Sequence, residues 1–349
     1  MKRERLVEIL SKLPEQRIAV LGDLFLDKWL QIDRSLDETS RETGLAAYQV
    51  VGMRLYAGAG GTVLSNLAAL EAGTLYAIGF LGDDGEGYET LRLLRNIRVD
   101  TSRVFVSAEV MTPTYTKPVF MLPDGDEETH RLDHKNVKQT PAHLERKIMD
   151  AIWEIAPKVD AVIALDQLDG EGCGVLTPAV RKTLAEAALQ FPDTIFYADS
   201  RAHCRKFENV VIKCNDIEIA KIFQPEAIGR LSLEETKALL PQLASRTGRQ
   251  VFVTCGEKGV LVQRGGKEPV LIPTLPQTER IDIVGAGDAC TAGIVTALCA
   301  GGTVEEAAFL GNLVSSVTIQ TIGTTGTATR KQVVERYEEF ERKGGILHG

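Results

Sequence analysis

Asp282-Ile283-Val284-Gly285-Ala286-Gly287-Asp288 runs directly into an apolar stretch, Ala289 to Ala300. The stretch reads as a compact glycine turn that opens a helix, with a carboxylate in the first turn. Glycine lets backbone N–H groups come close to a ligand. The free N–H groups and dipole of a helix N-terminus favour an anion there. A carboxylate beside them can take a proton from a nucleophile while the N–H groups hold the charge that develops. The combination suits phosphoryl transfer to a hydroxyl. Asp in a first helical turn also has a plain structural use, because it complements the dipole, so the surroundings of the turn decide.

Outward from the turn, strands and helices alternate. Arg17 to Gly22 reads as a buried strand ending at Asp23, with Asp27 four residues on. Strands 161–165, 194–198 and 210–213 end at Asp166, at Asp199 and at Asn215-Asp216-Ile217-Glu218. Another strand is expected at 75–81, and helices at about 63–71, 86–97, 141–156, 177–190 and 233–246. Open parallel sheets bind ligands beyond the carboxyl ends of their strands. Asp23, Asp166, Asp199, Asn215 and Glu218 would therefore gather on one ligand-binding face. The fold class implied is α/β: a doubly wound, mostly parallel sheet with helices on both faces.

Two stretches break the alternation. Residues 28–57 lack helical periodicity, and residues 103–133 alternate in β fashion, with strands at 104–106, 114–122 and 129–132 and a polar turn at 123–126. Together they read as a small β subdomain, a lid. Between them, Gly58-Ala59-Gly60-Gly61-Thr62 leads into the helix that carries Asn66. These glycines allow close backbone approach, but the Gly-x-Gly-x-x-Gly dinucleotide fingerprint is absent. Strand 251–254, ending at Thr254, is followed by Gly256 and Gly259 in a hairpin with strand 260–263. A β-rich stretch at 268–283 precedes the opening turn. After it, Thr303 to Glu306 forms a capping box for a helix to about 320, and a polar helix at 333–343 ends the chain.

The 349 residues are 44% hydrophobic and 25% charged, enough for one large core, and the whole chain reads as a single domain with the lid inserted. The net charge is −8 with no basic block, which argues against nucleic acid as a partner. The six cysteines form no C-x-x-C pair and the five histidines, His348 included, show no zinc spacing. Buried free thiols in a reducing compartment are expected. No signal-peptide core is present and no apolar stretch is long enough to span a bilayer, so a cytoplasmic, membrane-free protein is expected.

Taken together, these motifs resemble the ribokinase-like carbohydrate kinases, the phosphofructokinase-B family, over about 17–334. The 282–288 stretch is similar to that family's C-terminal signature. The resemblance implies that Asp288 is the catalytic base and that the N–H groups of Gly285, Ala286 and Gly287 form an anion hole. It implies that Asn215 and Glu218, an Asn-x-x-Glu motif, organise Mg²⁺ and phosphates. Thr254, Gly256 and Gly259 resemble the nucleotide-side hairpin, and Asn312 sits where the adenine pocket is lined. Asp23, Asp27, Gly60, Gly61, Thr62 and Asn66 match the sugar side. Within the family, Gly22-Asp23-x-x-x-Asp27, Thr129 to Asp133, Asp166 and Asp199-Ser200-Arg201 look most like heptose-7-phosphate kinases. Thr62 stands where that family has a sugar-contacting Asn, and Asp199-Ser200-Arg201 lacks the family's Pro and has Arg for Lys.

The implied function is ATP-dependent phosphorylation of a sugar or sugar phosphate, heptose 7-phosphate among the candidates, with ATP and Mg²⁺ as cofactors. Arg131 or Arg201 would meet a phosphate already on the sugar. Exposed apolar lid faces suggest a homodimer through the lid. The alternatives are a kinase of the same fold for another small alcohol (a nucleoside, fructose phosphate or vitamin) and a non-catalytic sugar- or nucleotide-binding regulator. A fused nucleotidyltransferase domain is not expected.

Overall fold

The computed structural model describes residues 1–344 apart from 124, 227–228 and 278–279. Asp124 of the polar turn, two positions of the 268–283 stretch and His348 therefore lie outside the described residues.

The body is a nine-stranded sheet. Its first strand, β1 (Arg17–Gly22), is flanked on one side by β6 (Thr74–Gly82) and β7 (Asp100–Ser107). On the other side follow β11 (Ala161–Asp166), β12 (Ile195–Ser200), β13 (Val211–Asn215) and β14 (Val251–Thr254), all parallel. The antiparallel strands β15 (Val260–Gln263) and β16 (Val270–Ile272) close that edge. The parallel strands are near-continuous apolar runs because both faces are covered. Along β1, Ile18 and Val20 enter one core while Ala19 and Leu21 enter the other.

The first core packs under α1 (Arg3–Ser11), α2 (Gly60–Ala69), α3 (Gly85–Asn96), α8 (Ala286–Cys299), α9 (Val304–Thr318) and α10 (Arg330–Arg342). The second packs under α4 (Ala142–Ile155), α5 (Pro178–Gln190), α6 (Asp216–Phe223) and α7 (Leu233–Thr247). The α9 capping box forms as expected, with Thr303 accepting from the Glu306 N–H and Glu306 from the Thr303 N–H. All six cysteines are free thiols, and no helix among the described residues is long and apolar enough to cross a membrane.

The small sheet is built from β2 (Leu24–Ile32), β5 (Val50–Ala59), β8 (Thr114–Phe120), β9 (Glu127–Glu128) and β10 (Leu132–His134), in the order β10-β8-β2-β5 with β9 on β8. A hairpin, β3 (Glu38–Thr39) with β4 (Ala46–Ala47), projects between β2 and β5. Only Asp23 separates β2 from β1, and β5 leads directly into α2.

Three expectations are displaced. Residues 104–106, expected in the lid, pair in parallel with β6 at the edge of the main sheet, because their apolar residues cover that edge. The last lid strand falls at 132–134 rather than 129–132. Among the described residues of the β-rich stretch at 268–283, only 270–272 pairs as a strand, since β composition without a partner edge does not make a ladder.

Candidate active site

The 282–288 turn sits beyond the carboxyl ends of the central strands. Asp282 fixes it: one carboxylate oxygen accepts the Val284 N–H at 3.0 Å and the other accepts the Gly323 N–H at 3.0 Å. Gly285 has φ +79°, the left-handed region, and a Cβ there would lie 2.4 Å from Thr325 Cγ2. Glycine is therefore required both by conformation and by space. The Ala286 N–H donates to the Ile283 carbonyl at 3.1 Å. Among the described residues this leaves the N–H groups of Gly285, Gly287 and Asp288, not that of Ala286, without a protein acceptor. Burial and the neighbouring Asp199 charge push the Asp288 carboxyl up to about 7, against the opposing pull of Lys213 and Arg201.

Beneath the turn lies a buried polar floor. Lys213 donates to Asp199 Oδ2 at 2.7 Å, and the Thr291 hydroxyl donates to the same oxygen at 3.2 Å. Beside it, Asn215 and Glu218 form the capping box of α6. Asn215 Oδ1 accepts from the N–H groups of Ile217 and Glu218, and Glu218 Oε2 accepts the Asn215 N–H at 2.8 Å. The motif thus has a structural use of its own. Glu218 Oε1 accepts nothing among the described residues. Burial and Asp199 push the Glu218 carboxyl up to about 7.

On the opposite side, two carboxylates that look alike in sequence differ. Asp23 is tied at both oxygens, accepting the Gln167 N–H at 3.0 Å and the Val175 N–H at 2.9 Å, and so fixes the loop after β11. Burial, then the Asp166 charge, pushes it up to about 6. Asp27 on β2 is also buried, yet its Oδ1 has no partner. Burial raises its pKa, while Lys117, Arg131 and Arg201 pull it down. Asp27 is near enough to Asp288 for its charge to raise the Asp288 carboxyl a little further.

The remaining residues expected on the sugar side are mostly framework. A Cβ on Gly60 would meet the Asp23 carbonyl at 3.1 Å, and one on Gly61 would meet Ala57 Cβ at 2.4 Å. Thr62 donates to the Ala57 carbonyl at 3.3 Å, and its methyl lies 3.5 Å from where a Gly285 Cβ would be. Asn66 donates to the Thr62 carbonyl and keeps a buried, unpaired Oδ1. Asp166 accepts from Ser200 Oγ at 2.8 Å and meets His203 Nδ1 at 2.9 Å. Arg131 is exposed, forks onto Asp133 at 2.7 and 2.8 Å, and lies 4.4 Å over the Tyr115 ring.

Toward the sheet edge, β14 places Thr254 opposite Asn215 in register. Thr254 donates to the Cys214 carbonyl at 3.4 Å. Gly256 has φ +58°, and Gly259 has φ +115° with only 2.1 Å between its missing Cβ and the Ile272 carbonyl. Asn312 reaches the carbonyls of Ile272 and Pro273 at 3.0 and 3.1 Å, bracing α9 against the strand-exit loop. Two cations escape the sequence reading. Lys117 is 7% exposed, with its Nζ 4.5 Å over the Trp29 ring. Lys213 is 5% exposed on β13. A lysine within an apolar β alternation was the available signal for both.

This constellation lies on a doubly wound sheet beside a smaller second sheet. The pfkB family carbohydrate kinase pattern matches residues 26–331. The chain belongs to that family. It is 24% identical over 332 residues to bifunctional protein HldE of Pelobacter propionicus, covering 94% of this chain and 64% of that protein. It is 27% identical over 329 residues to bifunctional protein HldE of Koribacter versatilis, covering 93% and 62%. The chain thus spans under two thirds of the length of these relatives. Among solved structures, phosphofructokinase-2 of Escherichia coli with substrates and products aligns at TM-score 0.70 and 15% identity, covering 94% of this chain and 100% of that one. Ribokinase of Arabidopsis thaliana with ribose and ATP aligns at 0.69 and 18%, covering 92% and 98%. Both likenesses establish the ribokinase-like fold.

Proposed function

We propose that this sugar kinase uses ATP with Mg²⁺ to phosphorylate a sugar that already carries a phosphate, with heptose 7-phosphate the specific candidate. The observation that carries the reading is Asp27: a buried carboxylate with an unpaired oxygen, near enough to Asp288, Lys117, Arg131 and Arg201 for the charges to act on one another. A carboxylate in that position suits sugar hydroxyls, and the cations beside it suit an acceptor with its own negative charge. The resemblance to heptose-7-phosphate kinases and the HldE relatives support the same substrate.

In this mechanism Asp27 and Asn66 hold the sugar, with Thr62 shaping the boundary between sugar and phosphate. Asp288 accepts the hydroxyl proton as the oxygen attacks the γ-phosphorus in line. The free N–H groups of Gly285, Gly287 and Asp288 stabilise charge on the transferred group. Thr254, Gly256, Gly259 and Asn312 frame the nucleotide side. Among the described residues no set of three or more His, Cys, Asp or Glu could cage a metal. Mg²⁺ commonly binds through one or two carboxylates plus substrate phosphates. Glu218, through its unused oxygen, would hold it with Asn215 orienting Glu218, and the ion would offset phosphate charge. The small sheet would exclude water from the cleft. Its outer face exposes Met53, Val51 and Leu132, which favours pairing of two lids.

The test is ADP release with ATP and Mg²⁺ across sugars and sugar phosphates. Turnover is expected on phosphorylated acceptors, highest on heptose 7-phosphate. Preference for a neutral sugar, nucleoside or vitamin alcohol would overturn the anionic-acceptor reading. ATP binding without turnover on any acceptor would favour a regulator.

A further inference from the structure

We propose that His203 is a positioning residue for acceptor selection: it pins the turn 200–203 so that Arg201, rather than Arg131, meets the phosphate of the acceptor. The role rests on the anionic-acceptor reading above and gives that reading a named contact.

The turn leaves the end of β12 and is stitched onto the end of β11. Ser200 and His203 are buried, whereas Arg201 and Ala202 between them are exposed. Asp166 Oδ2 accepts from the Ser200 hydroxyl at 2.8 Å and meets His203 Nδ1 at 2.9 Å. The Asp166 carbonyl accepts the Arg201 N–H at 3.1 Å. Ser200 Oγ accepts the His203 N–H at 2.8 Å, and the Cys204 thiol donates to the Ser200 carbonyl at 2.8 Å. On the far side of the imidazole, Nε2 lies 3.4 Å from Glu171 Oε2, and Glu171 is gripped in turn by Arg181 and Lys206. Each buried donor or acceptor left unmade is costly, so this set of bonds holds the backbone of the turn in one conformation. Ser200 stands where the motif compared above has Pro, and a proline side chain could neither donate to Asp166 nor accept from His203.

The side chain lifted out by the turn is a cation with nothing to bind. The Arg201 guanidinium is exposed and makes no hydrogen bond or ion pair among the described residues. Burial pushes up the carboxyls of Asp27, Glu218 and Asp288, and the Arg201 charge pulls each of the three back down. Those carboxylates come from β2, α6 and α8, so the free guanidinium stands among the groups of the proposed reaction. Arg131 is differently placed. Its Nε and Nη2 are taken by Asp133 at 2.7 and 2.8 Å, and its guanidinium lies over the Tyr115 ring. A planar fork with its donors free matches phosphate oxygens directly, while one already forked onto a carboxylate must first give up that pair. An arginine side chain has many rotamers, so where its backbone is held decides what it can reach. His203 acts through that hold and touches no substrate.

The test compares heptose 7-phosphate with the same heptose lacking its phosphate. Arg201→Met is expected to lower the ratio of kcat/KM between the two about 10- to 100-fold, the worth of a charge-assisted hydrogen bond. His203→Ala is expected to lower the ratio about 5- to 10-fold, through KM for heptose 7-phosphate rather than through kcat or KM for ATP. His203→Asn, whose amide can still reach Asp166, is expected to restore most of the loss. Adding His203→Ala to Arg201→Met should cost nothing further, because there is no guanidinium left to position. Ser200→Ala loosens the same turn by a smaller excision and should lower the ratio in the same direction, so it decides the matter if His203→Ala does not melt cooperatively. A loss shared equally by both acceptors, or one that adds to Arg201→Met, would overturn the proposal. Labelling with phenylglyoxal, read by mass spectrometry on the peptide that carries Arg201, needs no turnover. Heptose 7-phosphate should protect Arg201 where the plain heptose does not, and His203→Ala should require about tenfold more of it. An active wild type whose Arg201 is not protected would overturn the proposal. Protection without turnover would instead sink the kinase reading and leave the role of His203 standing, and neither protection nor turnover would overturn both.

Discussion

Beside the nine-stranded sheet two buried carboxylates are answered by the protein itself: Asp199 by Lys213 and Thr291, Asp23 by two backbone N–H groups. In the small sheet Asp27 and Lys117 are buried to a similar degree, and neither makes a hydrogen bond among the described residues. Leaving a buried polar group unpaired costs about 1–3 kcal/mol, more for a charge. A chain that keeps such groups on one face of one sheet is keeping places for a partner that arrives later. On the function proposed above, the floor would be organised before binding and the small sheet completed by it.

The sharpest way to break this contrast is at the floor. Asp288→Asn should lower kcat by roughly 10²–10⁴-fold, the usual worth of a general base, with ATP affinity nearly unchanged by calorimetry; near-normal turnover would remove Asp288 from the mechanism. Its raised pKa of about 7 sets the pH profile. The base works ionised, so kcat/KM should fall about tenfold per unit below roughly pH 7. The same shift has the opposite sign for stability. A folded-state pKa above the unfolded value gives a contribution that is present at low pH and lost as pH rises to about 7. Asp288→Asn should therefore melt above the wild type at pH 8, with the gap closing near pH 4.

Next in size is the pair that looks equivalent in sequence. Asp27→Asn should reduce kcat/KM for the sugar about 10- to 100-fold and leave the melting temperature within a degree or two. Asp23→Ala should do the reverse, stranding two buried N–H groups at about 2 kcal/mol or more of stability, with kcat of the folded protein little changed. If both variants lose activity and neither loses stability, the division between framework and contact fails. The smallest effect is expected at the outer face of the lid, where Leu132→Glu should dissociate paired lids while changing kcat less than about threefold; sedimentation velocity reads the outcome.

The glycine turn and the strand-end polar residues were legible in sequence because their signals are local: a short motif, or a polar residue closing an apolar run. The division of labour between Asp23 and Asp27 was not. Both sit in the same apolar context, and only the loop at 167–175, far away in the chain, decides which one is occupied. Asn215 and Glu218 carried two meanings at once, since the spacing that makes a capping box also makes the Asn-x-x-Glu motif. Lys117 and Lys213 were missed because each is one cation in a β run, and its weight comes from burial and register with Trp29 and Asp199. The expected anion hole named Ala286, whose N–H is taken up by a turn that the sequence pattern does not reveal.

The single residue between β1 and β2 also makes the small sheet a lever. Asp23 is pinned at both oxygens, so a rotation of the small sheet has its fulcrum there. At about 3.3 Å per strand residue, Asp27 lies roughly 13 Å from that point and Ile32 roughly 30 Å. For any given swing the sugar-side carboxylate travels less than half as far as the end of its own strand.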